Sequence, residues 1–429
     1  MTSFATRQLH AGTAPDPATG ARAVPIYQTT SFTFADSGHA AAAFALDDLE
    51  SHVYTRLSNP TTAVVEERIA ALEGGTAAVA VGSGQAATSL ALLNLARAGD
   101  HLVASASLYG GTHTLLSATF ADLGIAVTFV EDPADLDEWR AAITPRTRAL
   151  FGESIGNPLG VVLDLAGVAE VAHQAGLPLV VDNTVPTPFL LRPIDHGADV
   201  VVHSTTKFLA GHGTAIGGIV VDSGRFDFGR DPELWPGLVA PDPTYGGLSF
   251  WDRFGADGIA YALRLRTRLL RDLGPAATPF NAFLLLQGIE TLDLRLARQT
   301  GNAASVAAFL ESHPAIERVH YPGLRSHPGH ATARRYLPDG AGAIVAAELR
   351  GGRDAGARFV DRLQLFSHLA NIGDVRSLAI HPASTTHAQL RPDQQRAAGI
   401  TPGLVRLSVG IEGIDDLRND LAQALREDS

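Results

Sequence analysis

Asp199-Val200-Val201-Val202-His203-Ser204-Thr205-Thr206-Lys207-Phe208-Leu209-Ala210-Gly211-His212-Gly213 runs from an apolar strand into a loop of hydroxyls and glycines, and Lys207 is the only lysine in the 429-residue chain. Upstream, Leu179-Val180-Val181 ends on Asp182, and similar apolar runs occupy 77–81, 101–105, 125–130 and 148–153, with helical patterns at 85–97 and 165–174. Near-continuous apolar strands alternating with helices predict an α/β fold with a mostly parallel sheet covered on both faces. Ligands of such a sheet gather beyond the carboxyl ends of its strands.

Outward from this centre the pattern changes. Asn59 is a helix cap, Pro60 suits a first turn, Val65, Ile69 and Leu72 share one face, and Gly74-Gly75 ends the helix. Residues 1–59 are rich in turn formers, with one short helix expected near 40–49, and read as an arm laid over something else. Residues 60–278 form the expected large sheet domain, interrupted at about 223–257 by an aromatic, Pro- and Gly-rich insertion. Residues 279–429 read as an α+β second domain, with one or two long helices over 279–310 and strands near 342–349 and 404–409.

Composition excludes several classes of function. With no Cys, the chain has no disulfide, thiolate metal site or cysteine nucleophile. The formal charge of −12, with basic residues scattered along the chain, argues against nucleic acid as a partner. The uncharged run 74–96 is broken by Gly82, Ser83, Gly84, Gln85 and Asn94, so no membrane span is expected. Met1-Thr2-Ser3-Phe4-Ala5-Thr6-Arg7 lacks the pattern of a signal peptide, and a cytoplasmic location is the expectation. His320, His327 and His330 fall in a turn without a convincing carboxylate partner, so no metal site is expected either.

The chemistry concentrates at the strand ends. Val81-Gly82-Ser83-Gly84-Gln85-Ala86-Ala87 follows a strand and opens a helix, so its N–H groups can receive a phosphate. It also satisfies a dinucleotide fingerprint, but the following strand lacks the acidic residue that would hold a ribose, and a glycine turn that merely packs is the plain alternative. A lone strand-end carboxylate such as Asp182 is commonly a cap. A lysine kept as the single ammonium in a chain that otherwise uses Arg is harder to set aside, because only lysine forms a Schiff base. Lysine, carboxylate and phosphate cup together describe pyridoxal phosphate. Ser204 and Thr206 could add hydroxyls to the cup of Ser83, Gly84 and Gln85, and Tyr109 could stack on the ring or simply pack its loop. Arg406, inside an apolar strand, needs an anion, either a ligand carboxylate or an internal ion-pair partner.

The lysine segment 199–213 resembles the signature of the Cys/Met-metabolism enzymes of pyridoxal-phosphate fold type I. Supporting stretches are Tyr27-Gln28-Thr29-Thr30-Ser31-Phe32, Tyr109-Gly110-Gly111-Thr112, Pro279-Phe280-Asn281-Ala282-Phe283, Phe366-Ser367-His368-Leu369-Ala370-Asn371 and His381-Pro382-Ala383-Ser384-Thr385-Thr386-His387. Within that family the chain is most similar to the O-acetylhomoserine sulfhydrylase branch, and the likeness extends over nearly the whole chain.

The resemblance implies an aspartate-aminotransferase-like fold, with Lys207 carrying the cofactor and Asp182 pairing with its ring nitrogen. It implies that Tyr109 stacks on the ring and assists proton transfer, that Asn157 contacts ring oxygen and substrate, and that Arg406, with Ser377 beside it, clamps the substrate carboxylate. Tyr54 and Arg56 are implied to reach the cofactor phosphate of a neighbouring subunit, making a dimer the minimal unit, with a tetramer expected; a solvated surface charge is the alternative for Arg56. The implied reaction is γ-replacement on an amino-acid ester by a thiol, sulfide or methanethiol, giving homocysteine or methionine. Cystathionine γ-synthase and methionine γ-lyase activities are the rivals within the family; the lyases carry a cysteine where this chain has Gly111. A nicotinamide-dependent dehydrogenase is the rival outside it, and would leave Lys207 and Asp182 without a role.

Overall fold

The computed structural model describes residues 2–386, 388 and 399–426. Seven strands form the main sheet: β1 Ala77–Val81, β2 His101–Ser105, β3 Ala126–Val130, β4 Thr147–Glu153, β5 Leu179–Asp182, β6 Val200–His203 and β7 Gly218–Asp222. Their spatial order is β1-β7-β6-β5-β4-β2-β3. The pairs from β6 through β3 are parallel, while β7 lies antiparallel to both β6 and β1. Burial explains the apolar runs: β2 and β7 are buried throughout, and β4 nearly so.

The sequence pattern gives no sign of β7. An antiparallel return needs no crossover helix, so the strand-helix alternation that marks the others is absent at Gly218–Asp222. The helix expected over 40–49 is Ser37–Phe44, because the chain turns at Leu46, whose φ of 61° is left-handed. The helix expected over 85–97 is Gly84–Leu93, whereas Leu165–Gln174 forms with the expected bounds. The apolar stretch after residue 278 divides into two helices, Pro279–Ile289 and Leu292–Glu311.

A second sheet contains β8 Ile316–His320, β9 Ile344–Leu349, β10 Ser367–His368, β11 Leu378–Ile380 and β12 Leu404–Ser408, ordered β10-β11-β12-β9-β8. It is antiparallel except for the β10-β11 pair. One continuous apolar core runs from the main sheet through Leu286, Leu296 and Val306 into Val345 and Val405. His387, the last residue of one stretch quoted above, lies outside the described residues.

The segment 223–257 carries short helices at Pro236–Val239 and Phe250–Phe254. It packs on the N-terminal arm, where Phe250 and Phe254 bury Leu46 and Arg253 pairs with Asp47. Among the described residues, no helix is long and apolar enough to cross a membrane.

Asn59 fixes both the helix Pro60–Glu73 and the arm. Its Oδ1 accepts the Thr61 N–H at 2.9 Å, while its Nδ2 donates to the Tyr27 carbonyl at 2.8 Å and to Thr55 Oγ1 at 3.1 Å, all from a position with no solvent exposure. Asn59→Ala is expected to cost about 2–4 kcal/mol, a lost cap plus buried groups left unpaired. Thermal unfolding of the variant beside the parent protein checks this, as a clear drop in midpoint.

Candidate active site

Because β1, β2, β4, β5 and β6 run in one direction, their carboxyl ends lie along one edge of the sheet. Val81 leads to Ser83, Gly84 and Gln85, Ser105 leads to Tyr109, Glu153 leads to Asn157, and Asp182 ends β5. His203 leads to Ser204, Thr206 and Lys207, and the second sheet adds Arg406 from β12.

The helix after β1 approaches the loop after β6 closely. A Cβ on Gly84 would lie 2.5 Å from Ser204 Cβ and 2.8 Å from Ser204 Oγ, so only glycine fits. Ser83 caps this helix through Oγ and the Ala86 N–H at 3.1 Å. Gln85 and Tyr109 converge over Gly111, where a Cβ would meet Tyr109 Cε1 at 2.5 Å and Gln85 Nε2 at 3.2 Å. The Thr206 hydroxyl bonds both backbone groups of Gly217, at 3.2 and 3.1 Å. The sequence expects Thr206 in the cup, and its hydroxyl also holds the loop at Gly217.

Lys207 Nζ donates to Asn371 Oδ1. Burial, with the Arg406 guanidinium adding to it, lowers the lysine pKa to about 8. Arg406 donates to the Asn371 carbonyl at 3.0 Å and faces Asn157 Oδ1 at 3.4 Å. Among the described residues it has no carboxylate within ion-pair range, and burial lowers its pKa to about 10. A desolvated guanidinium without a carboxylate partner, beside a lysine whose amine is deprotonated more easily than usual, is ready to receive an anion.

Asp182 is pushed upward by burial, opposed by the Thr184 N–H at 2.9 Å and by His203. Its register partner on β4 is Glu153, whose Oε1 accepts the Tyr109 N–H at 2.6 Å. Tyr109 is 52% exposed. Behind this edge, His203 bonds Glu73 at 2.6 Å with both side chains fully buried.

These features fit pyridoxal phosphate: an amine able to form a Schiff base, a half-buried carboxylate at a strand end, an exposed aromatic ring, and a helix start whose Cβ-free glycine leaves room against Ser204. The sequence reading missed three neighbours. Asn371 lay in a quoted stretch without a role, and Glu153 shows the same strand-end signal as Asp182. Arg295 sits on the apolar face of its helix between Leu292 and Leu296, and donates to the carbonyls of Phe208 at 2.9 Å, Leu209 at 3.1 Å and Gly288 at 2.7 Å.

Ser377 is not brought to this cluster, and Tyr54 and Arg56, expected to serve a neighbouring subunit, lie apart from it. Ser377 is fully buried and tied to Glu412 through Oγ at 2.9 Å and through its N–H at 2.6 Å. Tyr54 pairs with Ser31 on the arm, and Arg56 lies over the Tyr54 ring at 5.4 Å while donating to the Arg271 carbonyl.

Comparison with known proteins agrees with this geometry. The chain is 55% identical over 425 residues to an O-acetyl-L-homoserine sulfhydrylase of Leptospira meyeri, covering 97% of this chain and 95% of that one. It is 50% identical to a homocysteine synthase of Schizosaccharomyces pombe, with 98% of each chain covered. A Campylobacter jejuni crystal structure, provisionally described as an O-acetylhomoserine (thiol)-lyase and carrying N'-pyridoxyl-lysine-5'-monophosphate, superposes with a TM-score of 0.94 at 40% identity, covering 99% of this chain and 100% of that one. The model of the family described as Cys/Met metabolism PLP-dependent enzyme matches residues 5–426, and the chain belongs to that family.

Proposed function

We propose that the protein replaces the γ-substituent of O-acetyl-L-homoserine with sulfide, releasing acetate and forming L-homocysteine. The observation that carries the chemistry is the single lysine at the sheet's carboxyl edge, its pKa lowered to about 8 beside Arg406. The specificity follows the relatives at 55% and 50% identity that are named for this ester and this product.

Bound pyridoxal phosphate supplies an electron sink for charge developing at the substrate carbons. Asp182 is the carboxylate for its ring nitrogen, Tyr109 the stacking partner for its ring, and Ser83, Gly84, Gln85 and Ser204 the receivers of its phosphate. Thr206 supports that cup by fixing Gly217. Arg406 receives the substrate α-carboxylate with its planar fork, and Asn157 sits beside it to orient the substrate. Lys207, once its amine is free, is a base able to take the α-proton near neutral pH. Excluding water favours capture by the thiol over hydrolysis to 2-oxobutyrate and ammonia.

Tyr54 and Arg56 serve a second copy in this reading. Both line a cleft of about 1860 Å³ between the arm and the segment around Tyr245, on the outside of their own subunit. An isologous pair of such arms would complete two sites at once.

Three results are expected. Cofactor-loaded protein given O-acetyl-L-homoserine and sulfide yields homocysteine and acetate; mainly 2-oxobutyrate would indicate a lyase. Capture of pyridoxal phosphate by the apoprotein, followed as growth of the visible band, accelerates about tenfold per pH unit up to about pH 8 and then levels off, because only the neutral amine reacts. Finally, Lys207→Ala and Arg56→Ala variants, each inactive alone, recover activity when unfolded and refolded together. Random pairing leaves about a quarter of all sites intact if arms are exchanged, and none if each chain completes its own site.

A further inference from the structure

Glu153 ends β4 directly beside Asp182, with the two residues in register on parallel strands about 4.8 Å apart. In-register neighbours project to the same face, so the buried Glu153 and the half-buried Asp182 bring their carboxyl groups into one environment. Neighbouring carboxyl groups that repel one another in a desolvated site do not readily both ionise, and the proton goes to the one with less stabilisation of its charge. Asp182 accepts the Thr184 N–H, and His203 on the neighbouring strand lowers its pKa electrostatically. Glu153 receives the N–H of Tyr109 at 2.6 Å and is also acted on by that of Asn157, yet burial and Asp182 together push it well upward.

We propose that Glu153 is a positioning residue that, as a neutral acid, ties the Tyr109 loop and the Asn157 loop to the cofactor's two flanks and leaves the negative charge of the pair on Asp182. The inference rests on reading Asp182 as the partner of the ring nitrogen. It explains why a glutamate occupies a buried strand end whose register neighbour must remain available as an anion. A carboxylic acid there offers the acceptor oxygen that the Tyr109 loop needs without adding a second charge beside Asp182. The side chain touches neither substrate nor cofactor in this role; it acts through Tyr109 and Asn157.

Full-length Glu153→Gln, Glu153→Ala and Asp182→Asn proteins test the proposal. For each, pyridoxal phosphate affinity is measured by titration of the apoprotein, and ring orientation by visible circular dichroism of the loaded protein. Glu153→Gln, neutral and still an acceptor, is expected to stay within about threefold of the parent protein with its dichroism preserved, whereas Glu153→Ala, which leaves buried N–H groups unpaired, loses about tenfold or more in affinity together with most of the dichroism. Glu153→Gln as weak as Glu153→Ala would mean that an ionised carboxylate is required, and an undisturbed Glu153→Ala would mean that the side chain positions nothing; either overturns the proposal.

Should Glu153→Ala fail to fold, the infrared difference spectrum between the parent protein and Glu153→Gln at neutral pH decides. A carboxylic-acid C=O band present only in the parent protein supports the neutral acid, and its absence overturns it. Asp182→Asn reads the cofactor seat separately. If it binds the cofactor unchanged, the role of Asp182 fails, while the infrared band still decides the state of Glu153.

Discussion

The buried guanidinium of Arg295 ties the helices Pro279–Ile289 and Leu292–Glu311 to the loop after the reactive lysine. It is a cation with no carboxylate partner among the described residues, and burial lowers its pKa to about 10. Its charge is balanced by the carbonyls of Phe208 and Leu209, immediately after Lys207, and by that of Gly288 near the end of the helix Pro279–Ile289. Carbonyls at a helix end carry partial negative charge, so the cation is stabilised without a second ion. The planar fork reaches three acceptors at once, which an ammonium on a flexible stem does less well. Gly211 completes the arrangement, since a Cβ there would lie 2.1 Å from the Arg295 Nη1.

From this anchor the site follows by geometry. Fixing the lysine loop fixes Ser204, and Ser204 admits the Gly84 helix only because glycine lacks a side chain. The second sheet then brings Arg406 and Asn371 to the same amine. The result is a row of groups whose charges are all expensive where they stand: a lysine and an arginine lowered by burial, and two carboxyl groups raised by it. Perturbation of this kind concentrates where chemistry is performed.

The main sheet was readable from the sequence because its parallel strands are apolar runs separated by helices, and 77–81, 101–105 and 179–182 carry the expected bounds. β7 was not, since a short antiparallel return after a glycine loop leaves no periodic mark, and β10 and β11 are too short to show a period. Lys207 was legible because it is the single lysine, and Asp182 and the Gly84 turn because they stand at strand ends where a parallel sheet binds its ligands. Asn371 was not, because contact rather than composition distinguishes it, and Glu153 carried the same strand-end signal as Asp182 but only the register shows the two side by side.

The solitary lysine has a consequence for stoichiometry. Every other cation among the side chains is an arginine or a histidine, so Lys207 is the only side-chain amine that an aldehyde can find on the folded chain. Excess pyridoxal phosphate cannot accumulate on surface lysines, as it does on most proteins, and hydride reduction writes a single side-chain mark per loaded subunit. Counting that mark counts functional sites, which turns the protein into its own active-site titrant.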